Sequence, residues 1–155
     1  MPHIPGLRSP YAKVGRLVYF GRMLDKIRLH AAGKLPAEYV VNLGETQPTM
    51  FDARCCRFLG VKYAEVRERT LAGGTDGEVL AWTQTHGAPR TDEECEIWNA
   101  FMMKRGWRDV GAERLALRVR ESNLESKPIM TMFDYIDFDE DRDPVGTRAW
   151  ESPPA

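Results

Sequence analysis

Thr75-Asp76-Gly77-Glu78-Val79-Leu80-Ala81-Trp82 and Thr91-Asp92-Glu93-Glu94-Cys95-Glu96-Ile97-Trp98 decide the fold class of this chain. Each opens with a capping box, in which the threonine hydroxyl accepts from the amide three residues on. The glutamate there reaches back to the threonine amide. A tryptophan follows four residues after that glutamate in both. The two openings lie too close together for a stacked solenoid unit, so they mark two similar helices and not a repeat architecture.

Helical signals extend outward from this pair. Downstream, the second helix is expected to run to Arg105, with Gly106 as its cap and Trp107 folding back. Asp109 suits the cap of a helix carrying Ala112, Leu115, Ala116 and Val119, and Pro128 the opening of a last one with Ile129, Met132, Phe133 and Ile136. Upstream, Tyr63, Val66 and Leu71 mark a helix ending at Gly73-Gly74. Asp52 opens another, with Phe51, Cys55, Phe58 and Leu59 on its apolar face and Gly60 at its end. Pro36 starts a short helix through Tyr39 and Val40. The spacing of Leu17, Phe20, Leu24, Ile27 and Ala31 predicts a long first helix over 13–31, capped by Gly33. No segment of any length alternates with period two. Val18-Tyr19-Phe20 and Tyr39-Val40-Val41 have strand propensity but sit between helical signals.

The expected fold is therefore all-α, a compact single-domain bundle of about six to eight short helices over 13–138. An extended leader over 1–12, with Pro2, Pro5, Gly6 and Pro10, precedes it. An acidic and then proline-containing tail follows over 139–155.

Composition excludes several classes. With 155 residues, 43% hydrophobic and 29% charged, the chain can build an ordinary core. No apolar run approaches the roughly 18 residues that a membrane helix needs, and the N-terminus lacks a signal-peptide pattern. Cys55, Cys56 and Cys95 are odd in number and without CxxC spacing, which points to a reduced, cytoplasmic protein. A net charge of −1 gives no global field toward nucleic acid or membrane. Charge is unevenly spread, however. Residues 1–34 carry seven cations against Asp25 alone, and residues 134–143 carry six acids against Arg142 alone. Two solvated surfaces of opposite sign account for this, as does a basic site for an anionic ligand. Self-association into a homo-oligomer stays open, because the helical patterns do not separate core faces from interface faces.

Gly21-Arg22-Met23-Leu24-Asp25-Lys26-Ile27-Arg28-Leu29-His30 carries the candidate chemistry. Asp25 lies one turn from Arg22 and from Arg28, so its carboxylate can sit between two guanidinium groups. Asp25 and Arg28 adjoin the core stripe and are expected to be less exposed than Lys26 or His30. Gly21 costs helix stability of about 1 kcal/mol against alanine, which suggests a close approach to the backbone there. The functional reading makes Arg22 and Arg28 an anion clamp. Asp25 then orients them or moves a proton, and Lys26 or His30, as further catalytic groups, or Tyr11, as a ligand-binding one, completes the pocket. A structural ion pair is the plainer reading of the same residues.

Other constellations are weaker. Cys55 falls on a core stripe, so Cys55-Cys56 reads as structural despite Arg54 and Arg57 beside it. His3, His30 and His86 are isolated, and no metal site is expected. Asp137-x-Asp139-x-Asp141 resembles the start of a calcium loop. Arg142 at its glycine position and Arg148 at its bidentate acid position exclude it, leaving a solvated acidic end. No phosphate loop or dinucleotide fingerprint is present, so no cofactor is expected.

Several strings together resemble a known family: Leu7-Arg8-Ser9-Pro10, Gly21–Arg28, Arg57-Phe58-Leu59-Gly60-Val61, Gly74-Thr75-Asp76 with Trp82, and Ile97-Trp98-Asn99. They are similar to the bacterial domain of unknown function 5069 over about residues 4–138. The resemblance implies a small, largely helical protein and supplies no catalytic residues. Two functions follow as expectations. One is a small-molecule site for an anionic metabolite, in a binding protein or a cofactor-independent enzyme, built on the Asp/Arg cluster of the first helix. The other is a non-catalytic helical interaction module.

Overall fold

One helix runs through the middle of the molecule. In α1 (Phe20–Ala31), the eight consecutive residues Phe20 through Ile27 are all buried, so the helix is covered on every side rather than along one stripe. Phe20, Met23, Leu24 and Ile27 supply its apolar contacts. Arg22, Asp25 and Lys26 are buried with them, and each must find partners inside the protein.

The computed structural model describes residues 3–148, 150 and 151. Among these, a two-stranded hairpin and eight helices form one mostly helical domain, in agreement with the all-α expectation. After α1 come α2 (Ala37–Val40), α3 (Phe51–Leu59), α4 (Tyr63–Leu71) and α5 (Asp76–His86). The last three are α6 (Asp92–Lys104), α7 (Ala112–Glu121) and α8 (Met132–Asp139). α1 packs on α4, and α8 on α6 and α7. No helix among the described residues is long and apolar enough to cross a membrane.

The first expected helix is shorter than its spacing suggested. Residues 13–18 form a hairpin instead, β1 (Lys13–Val14) against β2 (Leu17–Val18), antiparallel with Val14 opposite Leu17. Gly15, at φ +57°, makes the two-residue turn. Asn99 of α6 then holds the hairpin from outside. Its side-chain oxygen accepts from the Val18 amide at 3.1 Å, and its amide nitrogen donates to the Arg16 carbonyl at 2.6 Å. These bonds satisfy backbone groups that a continuous helix would have used internally.

Both capping boxes are present as expected, at Thr75/Glu78 and Thr91/Glu94. The last helix differs. Thr131, not Pro128, opens α8, because its hydroxyl accepts from the Asp134 amide at 3.1 Å. Asp109 accepts from the amides of Gly106 and Gly111 and so shapes the turn before α7, whose cap position is Gly111.

The two ends of the domain are built into it. Ile4, Leu7 and Tyr11 are buried, and the expected solvated acidic end is corrected: Asp134, Asp137 and Glu140 are buried too. Met1, Pro2 and Ser152–Ala155, the extremes of the expected leader and tail, lie outside the described residues.

Candidate functional site

The charged residues of α1 point two ways. On one side, Asp25 accepts from Arg8, through Nε at 2.7 Å, Nη2 at 2.9 Å and the backbone amide at 3.0 Å. Arg8 also donates to Asp76 at 2.6 Å, and Arg28 donates to Asp76 at 2.7 Å while standing 3.6 Å from Asp25. The expected clamp is thereby corrected. Arg28 is near Asp25, but the second guanidinium is that of Arg8 and not Arg22. Gly21 explains the substitution: a side-chain carbon there would lie 2.4 Å from Arg8 Nη1, so the bare backbone is what admits Arg8. Asp76 is held below the usual carboxylate range because the Arg28 and Arg8 bonds outweigh its burial. This quartet fastens the N-terminal segment, α1 and α5 together, with its acids fully paired.

Arg22 turns to the other side. It pairs with Glu140 at two points, Nη1 to Oε1 at 2.9 Å and Nη2 to Oε2 at 2.6 Å. Tyr39 and Arg142 also donate to Glu140, at 2.9 and 2.6 Å. Burial pushes Glu140 toward the neutral acid, and these donors prevail and hold it ionised. The basic 1–34 segment and the acidic 134–143 segment thus meet inside the protein.

Lys26, expected to be more exposed than Asp25, is the more buried of the two. Its ammonium donates to Asp52 Oδ1 at 2.7 Å and to the Tyr19 hydroxyl at 2.8 Å, while the Tyr19 hydroxyl donates to the same Asp52 oxygen at 2.6 Å. Asp52 also accepts from the Gly44 amide at 3.0 Å. His30 lies exposed in the last turn of α1. Tyr11 is buried elsewhere: it donates to Asp134 at 2.6 Å, shares a hydrogen bond with Thr131 at 2.9 Å, and sets its ring edge-on to Phe133. Cys55 and Cys56 are buried and unbridged. Burial pushes the Cys55 thiol far up and that of Cys56 to about 12, as suits structural residues.

Arg22, Lys26 and Tyr19 line a cavity of about 670 Å³, within the size range of small-molecule sites. Tyr39 of α2, Phe51 of α3 and Tyr135 of α8 give it aromatic walls, and Arg105 also lines it. α7 and its caps line it with Gly111, Arg114, Arg118 and Ser122, a set spaced three and four residues apart along one face. Arg114 and Arg118 form no ion pair among the described residues, although like charges one turn apart are mutually unfavourable. Of the expected site residues, the cavity brings together Arg22 and Lys26. It leaves out Asp25, Arg28, His30 and Tyr11. Sequence reasoning missed Tyr19, Asp52, Arg114, Arg118 and Glu140. Only the Arg114-x-x-x-Arg118 spacing carried a local signal.

The family pattern of the domain of unknown function DUF5069 matches residues 4–142. The chain belongs to this family. No curated protein matches it. Within the DUF5069 match lie the whole Arg8–Asp25–Asp76–Arg28 quartet and every charged residue of the cavity. Arg148 and Trp150, which fasten the chain's end to Asp134 and Tyr11, lie beyond it.

Proposed function

We propose that this protein binds a small anionic metabolite in the cavity between α1 and α7, as a binding protein or a cofactor-independent enzyme. The observation that carries the reading is the pair Arg114 and Arg118. Two guanidinium groups that form no ion pair among the described residues face the same cavity as the buried cations Lys26 and Arg22, alongside the acids Glu38, Asp139 and Glu140. Guanidinium forks match carboxylate and phosphate, and aromatic walls suit a small organic body. The site differs from the Asp25/Arg28 cluster of the sequence reading, whose donors are already used by Asp76 and Asp25. Three free, buried cysteines support a reducing, cytoplasmic setting.

A thermal-shift screen against carboxylate and phosphate metabolites tests this, run in parallel on an Arg114→Ala/Arg118→Ala double variant. A ligand at a hundred times its dissociation constant stabilises by about 2.7 kcal/mol. The expected result is stabilisation of the wild type that the variant loses. A screen in which no anion stabilises the wild type counts against the reading.

A second reading, a non-catalytic interaction module, draws on the other face of α7. There Leu115, Ala116 and Val119 join Trp107, Ile129 and Met130 around an apolar groove of about 520 Å³, with Trp107 and Met130 about half exposed.

A further inference from the structure

We propose that Lys26 is an amine nucleophile that forms a Schiff base with the carbonyl group of an anionic substrate, an inference that rests on the cavity reading above. The chain has six lysines; Lys13, Lys34, Lys62, Lys104 and Lys127 are exposed, and Lys26 is buried at the cavity wall. It forms a buried ion pair with Asp52, and its surroundings also weaken its hold on the proton. Burial draws it toward the neutral form, Asp52 opposes this, and Arg22 reinforces it. The groups that face it are Tyr19 and Arg22 from its own segment, and Asp52 and Cys55 from α3.

Backbone geometry at Tyr19 gives independent support. Tyr19 sits at φ +71° and ψ −32°, a conformation that bulky residues rarely adopt and that the surrounding structure must hold in place. Its amide donates to the Pro10 carbonyl at 2.9 Å, and its ring packs against Phe51 and Phe133. The strained turn places the phenol oxygen 2.8 Å from Lys26 Nζ and 2.6 Å from Asp52. A proton can therefore pass along Lys26, Asp52 and Tyr19 without leaving the site.

Those three groups match what imine formation needs. The neutral amine adds to the carbonyl carbon, making the C–N bond while the π electron pair moves to oxygen. Asp52 takes one hydrogen from nitrogen as a proton, and Tyr19 delivers a proton to oxygen and is reprotonated from Asp52. The second hydrogen of the nitrogen follows the same route as the C–O bond breaks and C=N forms. Water leaves, carrying both former amine hydrogens. Arg114 and Arg118 hold the acidic group of the substrate, which makes the substrate class a carbonyl compound bearing a carboxylate or phosphate.

Reductive trapping tests the assignment. The full-length protein is incubated with pyruvate, 2-oxoglutarate or pyridoxal 5′-phosphate as probes, in the presence of cyanoborohydride, and the adducts are mapped by peptide mass spectrometry. The expected result is modification of Lys26 roughly tenfold or more above the exposed lysines. Lys26→Arg, which keeps the cation, is expected to lose the adduct at this position. Adducts spread without preference for Lys26, or absent from it with all three probes, overturn the assignment. A probe that raises the melting temperature yet leaves Lys26 unmodified sinks this inference and spares the cavity reading. The absence of both shift and adduct counts against both. If Lys26→Arg fails to fold, the wild-type peptide map decides.

Discussion

Arg22 and Glu140, 118 positions apart in the chain, join through two parallel hydrogen bonds with side chains only 4% and 2% exposed. The bond closes the end of α8 onto the first turn of α1. It also fixes the cavity wall, since both residues line it. Removing one partner leaves the other charge buried and unmatched, which in general costs about 3–5 kcal/mol. Glu140→Ala is therefore expected to lower stability by that order in urea denaturation. An unchanged midpoint would mean that Arg22 finds water or another acid without cost.

Gly21→Ala offers a test of the Arg8 contact. Helix propensity alone favours alanine by about 1 kcal/mol. The new carbon would meet Arg8 Nη1 at 2.4 Å and Val14 Cγ2 at 2.9 Å, pushing Arg8 away from Asp25 and Asp76. A net loss of about 1–3 kcal/mol is expected from this overpacking. In an Arg8→Ala background the loss is expected to shrink, because the displaced group is gone. A stabilising Gly21→Ala would contradict the placement of Arg8.

Asp137 gives a pH signature. Burial raises its carboxyl to about 6, against the opposing Ser9 hydroxyl bond and the Arg142 charge. The folded state thus holds this proton more tightly than the unfolded chain. The resulting stabilisation is full below the ordinary pKa of 3.8 and is lost as pH rises through about 6. Asp137→Asn, which can still accept from Ser9 at the site of the 2.8 Å bond, removes that dependence. The variant is expected to match the wild type near pH 4 and to exceed it by up to about 2 kcal/mol above pH 7. Parallel stability–pH curves for the two proteins would rule the raised pKa out.

Thr91→Ala is expected to cost about 1 kcal/mol, the usual worth of an N-cap. Its hydroxyl accepts from the Glu94 amide at 3.2 Å, and Glu94 returns a bond to the Thr91 amide at 2.9 Å. Thermal unfolding of the single variant measures it, and no change would mean that the exposed helix start contributes nothing.

What could be read from the sequence follows the range of each interaction. Thr75/Glu78 and Thr91/Glu94 lie three residues apart, so their capping boxes were legible before any coordinates. The 13–18 hairpin was not, because Asn99, more than 80 positions away, holds it. Asp25 was legible as a guanidinium-bound carboxylate, and Gly21 as a point of close approach. The arginine that fills that gap is Arg8, in a stretch whose spacing reads as an extended leader and gives it no partner. The burial of Glu140 is not legible because a dense acidic run resembles a solvated surface, and its partners Arg22 and Tyr39 lie about a hundred positions or more away. Lys26 was misplaced because α1 looked one-sided, whereas a helix covered all round buries its cations too.

The central claim is that an anion binds between α1 and α7. Titration with an anionic metabolite that stabilises the protein, followed by NMR shifts of the arginine side-chain and backbone N–H groups, addresses it most directly. The account predicts shifts concentrated at Arg22, Lys26, Arg114 and Arg118, with Arg8 and Arg28 unmoved. Shifts centred on Arg8 and Arg28 instead, or none at the α7 arginines, would contradict it.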